Sequence, residues 1–96
     1  MNLGTIIKNS RKQKGQTQLE FATSCGITQT YLSQIENNNK EPNLATLKEI
    51  SNKLEIPLPI LFFLSLNEED ISSEKRDAFK KLLPSVNTLI NECFEI

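Results

Sequence analysis

The chain has 96 residues, 38% of them hydrophobic, with 11 lysines and arginines against 12 aspartates and glutamates. That is one small domain with a modest core, of a size at which oligomerisation adds stability. It contains no histidine, no phosphate loop, and no serine or cysteine near an evident base, so nothing proposes a nucleophile with its partner, a metal site or a cofactor, and an enzyme is the weakest class.

The net charge of −1 argues against a nucleic-acid binder until it is followed along the chain. Residues 1–40 carry Lys8, Arg11, Lys12, Lys14 and Lys40 against Glu20 and Glu36, a balance of 5 − 2 = +3. Residues 41–96 hold six basic and ten acidic side chains, 6 − 10 = −4. The N-terminal half is the basic half, although a difference this small is also compatible with ordinary surface scatter. Cys25 and Cys93 lack any metal-like spacing and are expected as reduced thiols; Cys25 reads as a small core residue, with a reactive sensor as the minority alternative. No signal peptide is visible, and the longest apolar run, residues 56–66, falls well short of the ~20 residues needed to span a bilayer. A cytoplasmic protein without membrane contact is expected.

An all-α fold follows from the hydrophobic periodicity. Leu3, Ile6, Ile7 and Ser10 form the stripe of a first helix that stops at Gly15. Thr17 with Glu20 three residues later forms a capping box and starts a second, short helix at Gln18 with Phe21, Ala22 and Cys25 on one face. Gly26 follows where a residue of positive φ turns the chain sharply, and Ile27 staples the turn. Thr28 caps a third helix that buries Leu32 and Ile35 and leaves Gln29, Thr30, Ser33 and Gln34 on or near the other side. Hydrogen-bonding side chains thus cluster on the opening turns of a helix held off the domain by a tight turn, the form of a major-groove reader.

Asn37, Asn38, Asn39 and Lys40 make a loop whose amides and lysine either meet phosphate oxygens or are turn residues only. Asn43 caps a fourth helix with Leu44, Leu47, Ile50, Ser51 and Leu54 as its core stripe. A fifth helix starts near Leu58 or Pro59, where proline is tolerated in the first turn. Ile60, Leu61, Phe62, Phe63, Leu64 and Leu66 make this stretch apolar all round, so a second surface must cover part of it. Residues 67–73 read as an acidic linker. In the tail, residues 74–96, Phe79, Leu82, Leu83, Val86, Ile90 and Cys93 recur at three and four, with Pro84 inside the stripe predicting a kink or a break. The tail's destination is the apolar surface of residues 58–66, within a subunit or across a dimer, with a ligand pocket as the rival reading.

Counted from Gln18, the motif has a small residue at the fifth place (Ala22), glycine at the ninth (Gly26) and apolar residues at the fourth, eighth, tenth, fifteenth and eighteenth. With Arg11, Gly15, the string Tyr31-Leu32-Ser33-Gln34-Ile35-Glu36-Asn37 and Pro42, residues 3–64 resemble the phage-repressor and Cro class of helix-turn-helix proteins, the xenobiotic response element family. The resemblance implies a five-helix DNA-binding domain over residues 1–66, to which this chain adds its tail. It further implies an ion pair between Arg11 and Glu36, against the alternative that Arg11 faces solvent, and a dimer contact at the fifth helix and beyond. Asn38 stands where the family usually has glycine, a mild departure because asparagine also accepts a left-handed backbone.

The function expected is a homodimeric, sequence-specific regulator on double-stranded DNA. Gln29 and Thr30 are the leading base readers, with Ser33 and Gln34 behind them; Gln18, Thr28, Tyr31, Asn37, Asn39 and Lys40 are candidates for the DNA backbone. Ile60, Phe63, Leu64, Leu66, Phe79, Leu83, Val86 and Ile90 are candidates for the self-interface. The alternative is an antitoxin-like or adaptor module of the same fold that docks a protein partner through the tail.

Overall fold

The computed structural model describes residues 1–94; the last two residues of the expected tail, 95 and 96, lie outside the described residues. The described chain is helical and without strands: α1 (Leu3–Gln13), α2 (Gln18–Cys25), α3 (Gln29–Glu36), α4 (Leu44–Leu54), α5 (Leu58–Leu64) and α6 (Arg76–Phe94), with short 3-10 turns at Glu68–Asp70 and Ser73–Lys75. α1 packs on α3, α4 and α5, and α2 on α3 and α4. The core between them is Ile7, Phe21, Ala22, Cys25, Leu32, Ile35, Leu47, Ile50, Leu54, Ile56 and Leu61.

The punctuation of the motif is local chemistry. Thr17 Oγ1 accepts from the Glu20 N–H at 3.1 Å and the Glu20 carboxylate accepts from the Thr17 N–H at 3.0 Å, so two orphan donors of α2 are satisfied reciprocally. The Thr17 backbone N–H, and then its hydroxyl, hold the Glu20 carboxyl below its ordinary value. This part of the cap is therefore complete above the ordinary carboxylate pKa and is lost as pH falls through the lowered one. Thr17→Ala should destabilise the domain by about 0.5–2 kcal/mol, read as a lower denaturant midpoint at unchanged slope. Gly26 ends α2 at φ +72°, the left-handed conformation that glycine adopts without steric cost. Ile27 is half-buried and packs on the core beside the turn. Burial pushes the Cys25 thiol up, which keeps it protonated and suits a core filler.

One reading needs correction. Leu44, expected in the core stripe of α4, is 56% exposed; as the first helical residue its side chain leans toward the helix N-terminus and clear of the packed body. Residues 67–73, expected as an acidic linker, carry hydrogen bonds of their own and to Arg76. Asp70 Oδ2 accepts from the Asn67 N–H at 2.8 Å, and Arg76 Nε donates to the carbonyls of Glu68 and Ile71 at 3.0 and 3.1 Å. At Pro84, where the sequence predicts a kink or a break, α6 continues without a break, and the proline leaves the Lys80 carbonyl without its helical donor.

α6 buries Ile90 and half-buries Phe79, Leu83, Val86 and Phe94, while Leu82, Leu89 and Cys93 face outward. Its end lies near the end of α1, where Cys93 and Phe94 share a cleft of about 410 Å³ with Ser10, Gln13, Lys14 and the α4–α5 turn. None of the described helices is long and apolar enough to cross a membrane.

Candidate nucleic-acid interface

α3 is the element on which the surface is built. Thr28 Oγ1 accepts from the Tyr31 N–H at 3.1 Å, fixing the first turn, and Leu32, Ile35 and Glu36 are buried. Gln29 and Thr30 are exposed, Ser33 and Gln34 half-buried. Together with Gln18, Asn37 and Asn39 they line one shallow concavity of about 360 Å³. All seven side chains are neutral amides or hydroxyls.

Behind this surface sits a buried ionic brace. Arg11 Nε and Nη2 donate to Glu36 Oε2 and Oε1 at 2.7 and 3.0 Å, a bidentate pair, and Arg11 Nη1 donates to the Gln16 carbonyl at 2.8 Å. Arg11 and Glu36 are only 6% and 3% exposed. The brace ties α1 to the end of α3 and to the turn before α2, so the three helices hold this polar face in one orientation.

The structure gathers the four expected base readers with three of the six expected backbone contacts. The other three lie apart: the Thr28 hydroxyl serves the cap, Tyr31 packs on the core, and Lys40 lines a separate groove with Met1, Asn38, Pro42 and Phe62. Gln18 is also more constrained than expected. Its Nε2 donates to Glu36 Oε1 at 3.1 Å, so one of its two amide hydrogens is already engaged by the brace.

The sequence singles out Asn38 only as a left-handed turn residue and gives no role to Gly4, yet both position α3. Gly4, in the first turn of α1, lies against the last turn of α3; a Cβ there would stand 2.1 Å from the Ile35 carbonyl oxygen. Asn38, at φ +60°, accepts from the Gly4 N–H through Oδ1 at 3.0 Å, with Nδ2 3.4 Å from Thr5 Oγ1. The asparagine therefore does what the family's glycine cannot, joining the end of α3 to the start of α1. The available signal was the glycine itself, since glycine inside a helical pattern marks a close backbone approach.

The fold and this surface define a helix-turn-helix protein. The sequence model of the family described as Helix-turn-helix matches residues 7–61, more than half of the chain, and the chain belongs to that family, in its xenobiotic response element type. The ImmF control region 10 kDa protein of Bacillus phage phi105 is 41% identical over 59 residues, 62% of this chain and 66% of that protein. The HTH-type transcriptional regulator SinR of Bacillus licheniformis is 36% identical over 69 residues, 71% of this chain and 59% of SinR. The matches thus span less than two thirds of either relative. A solved complex of SinR protein with SinI protein is similar in structure, with a TM-score of 0.62 and 31% identity, covering 86% of this chain and 80% of that one.

Proposed function

We propose that the chain is a DNA-binding transcriptional regulator that seats α3 in the major groove and acts as a homodimer on a two-fold symmetric operator. The observation that carries this reading is the concavity of seven neutral hydrogen-bonding side chains on and beside α3, held rigid by the buried Arg11–Glu36 brace. Relatives named as phage control and transcriptional regulator proteins support it. Gln29 and Thr30 would read base edges, with Ser33 and Gln34 adjoining, while Gln18, Asn37 and Asn39 meet the sugar-phosphate backbone and set the register. Half-buried Ile60, Phe63, Leu64, Leu66, Phe79, Leu83 and Val86 are the proposed self-interface. Ile90 is already covered within one chain, so it supports that surface from beneath.

Selection of bound duplexes from a random pool at about 0.15 M salt, with sedimentation of the same sample, tests both parts. A symmetric motif with half-sites one helical turn, ~34 Å, apart and a dimeric sedimentation coefficient are expected. A single half-site bound by a monomer would overturn the dimer, and no enrichment by a folded sample would overturn the DNA reading.

A second reading, an interaction module that docks a protein partner, is favoured by the outward Leu82 and Leu89 of α6, 58% and 59% exposed. The similar solved structure is a complex of SinR protein with SinI protein. Under this reading the chain binds no selected duplex and its α6 gains protection from hydrogen exchange only when the partner is present.

A further inference from the structure

The charges missing from the reading face narrow what it can read. The commonest specific contact to guanine is an arginine or lysine bidentate to O6 and N7, and cytosine is read by a carboxylate accepting from its N4 amine. The chain has only two arginines, Arg11 and Arg76. Arg11 is buried against Glu36, and Arg76 is bonded to backbone carbonyls at the root of α6. Glu36, the only acidic residue of α3, is the partner of Arg11 and buried with it. Among the residues lining the concavity there is no lysine; Lys40, the cation nearest α3 in sequence, lines a different groove. Both groups that distinguish a G·C pair by charge-assisted bonds are therefore absent from the face or locked behind it.

What remains suits A·T pairs. A glutamine amide accepts from adenine N6 while donating to adenine N7, a bidentate match that uses both ends of the amide, whereas guanine offers only acceptors there and leaves the amide oxygen without a donor. The methyl group of a threonine packs on the C5-methyl of thymine. On the DNA-binding reading above, we infer that the base pairs contacted by α3 are A·T pairs, with Gln29 on an adenine and Thr30 on a thymine methyl. The neutral amide and hydroxyl face in the major groove, and not minor-groove shape, carries that preference.

The test uses the full chain and the duplex it selects. A·T pairs are expected at the positions under the first turn of α3. Replacing the contacted adenine by 7-deazaadenine, which lacks the N7 acceptor, should weaken binding about 5- to 150-fold, and replacing thymine by uracil should weaken it by a smaller factor. Gln29→Arg, a change at an exposed position, should move one base of the selected motif from adenine to guanine. A selected motif with G·C pairs at these positions would overturn the inference and leave the DNA-binding reading standing. So would an A·T motif whose affinity is indifferent to both analogues, because shape would then be what is read. A folded chain that selects no motif would overturn both.

Discussion

Glu36→Ala should destabilise the domain by about 3–5 kcal/mol, a large share of the total stability of a domain this size. The reason is the brace: Arg11 would keep its charge at 6% exposure with the Gln16 carbonyl as its remaining hydrogen-bond partner. Most of that loss is the stranded charge and not the worth of the pair, so the double change Arg11→Met with Glu36→Leu should recover most or all of it. Urea unfolding of the three variants checks this directly. A small loss for Glu36→Ala would mean that Arg11 escapes to solvent and that nothing rigid holds α3 to α1. The recovered double variant has a second use. If the brace serves orientation, it should fold well and still bind DNA less tightly, because Gln18 has lost the carboxylate that holds its amide at 3.1 Å.

Gly4→Ala sets two effects of opposite sign against each other. Alanine in a helix is favoured over glycine by roughly 0.5–1 kcal/mol, so a freely exposed glycine would gain stability from the change. Here the added Cβ would lie 2.1 Å from the Ile35 oxygen, 2.8 Å from Asn38 Oδ1 and 3.0 Å from the Glu36 carbonyl carbon. Two of these atoms are backbone, so α1 and α3 must move apart, at a cost of at least about 1–3 kcal/mol. The net effect should be destabilising, with the largest amide shift changes at residues 35–39 and a matching loss of DNA affinity. A stabilised Gly4→Ala would contradict the close approach of the two helices.

The motif was legible because its signals are local. Thr17 with Glu20, Gly26 at the turn, Thr28 and Asn43 as caps and the left-handed Asn38 each follow from one residue's chemistry. The core face of α1 to α3 follows from spacing alone. What escaped was contact between distant segments, such as Gly4 against the end of α3, Gln18 on Glu36, and Lys14 on Glu55 at 2.9 Å. Glu55 also shows a limit of residue preference. It takes φ +60° at the end of α4, a place where glycine or asparagine is the usual occupant. Leu44 followed the right period at the wrong place, since periodicity finds a face but not where the packed body ends. The Arg11–Glu36 pair came from family resemblance, and its bidentate geometry and burial needed the fold.

The central claim is that α3 reads sequence through its neutral polar face, and Gln29→Ala tests it most directly. Binding of wild-type and variant chains should be measured on the selected duplex and on a scrambled duplex of equal length and composition. The account predicts a loss of about 1–3 kcal/mol on the selected duplex, relaxed preference at one base, and unchanged affinity for the scrambled one. Equal losses on both duplexes, or none on either, would contradict it.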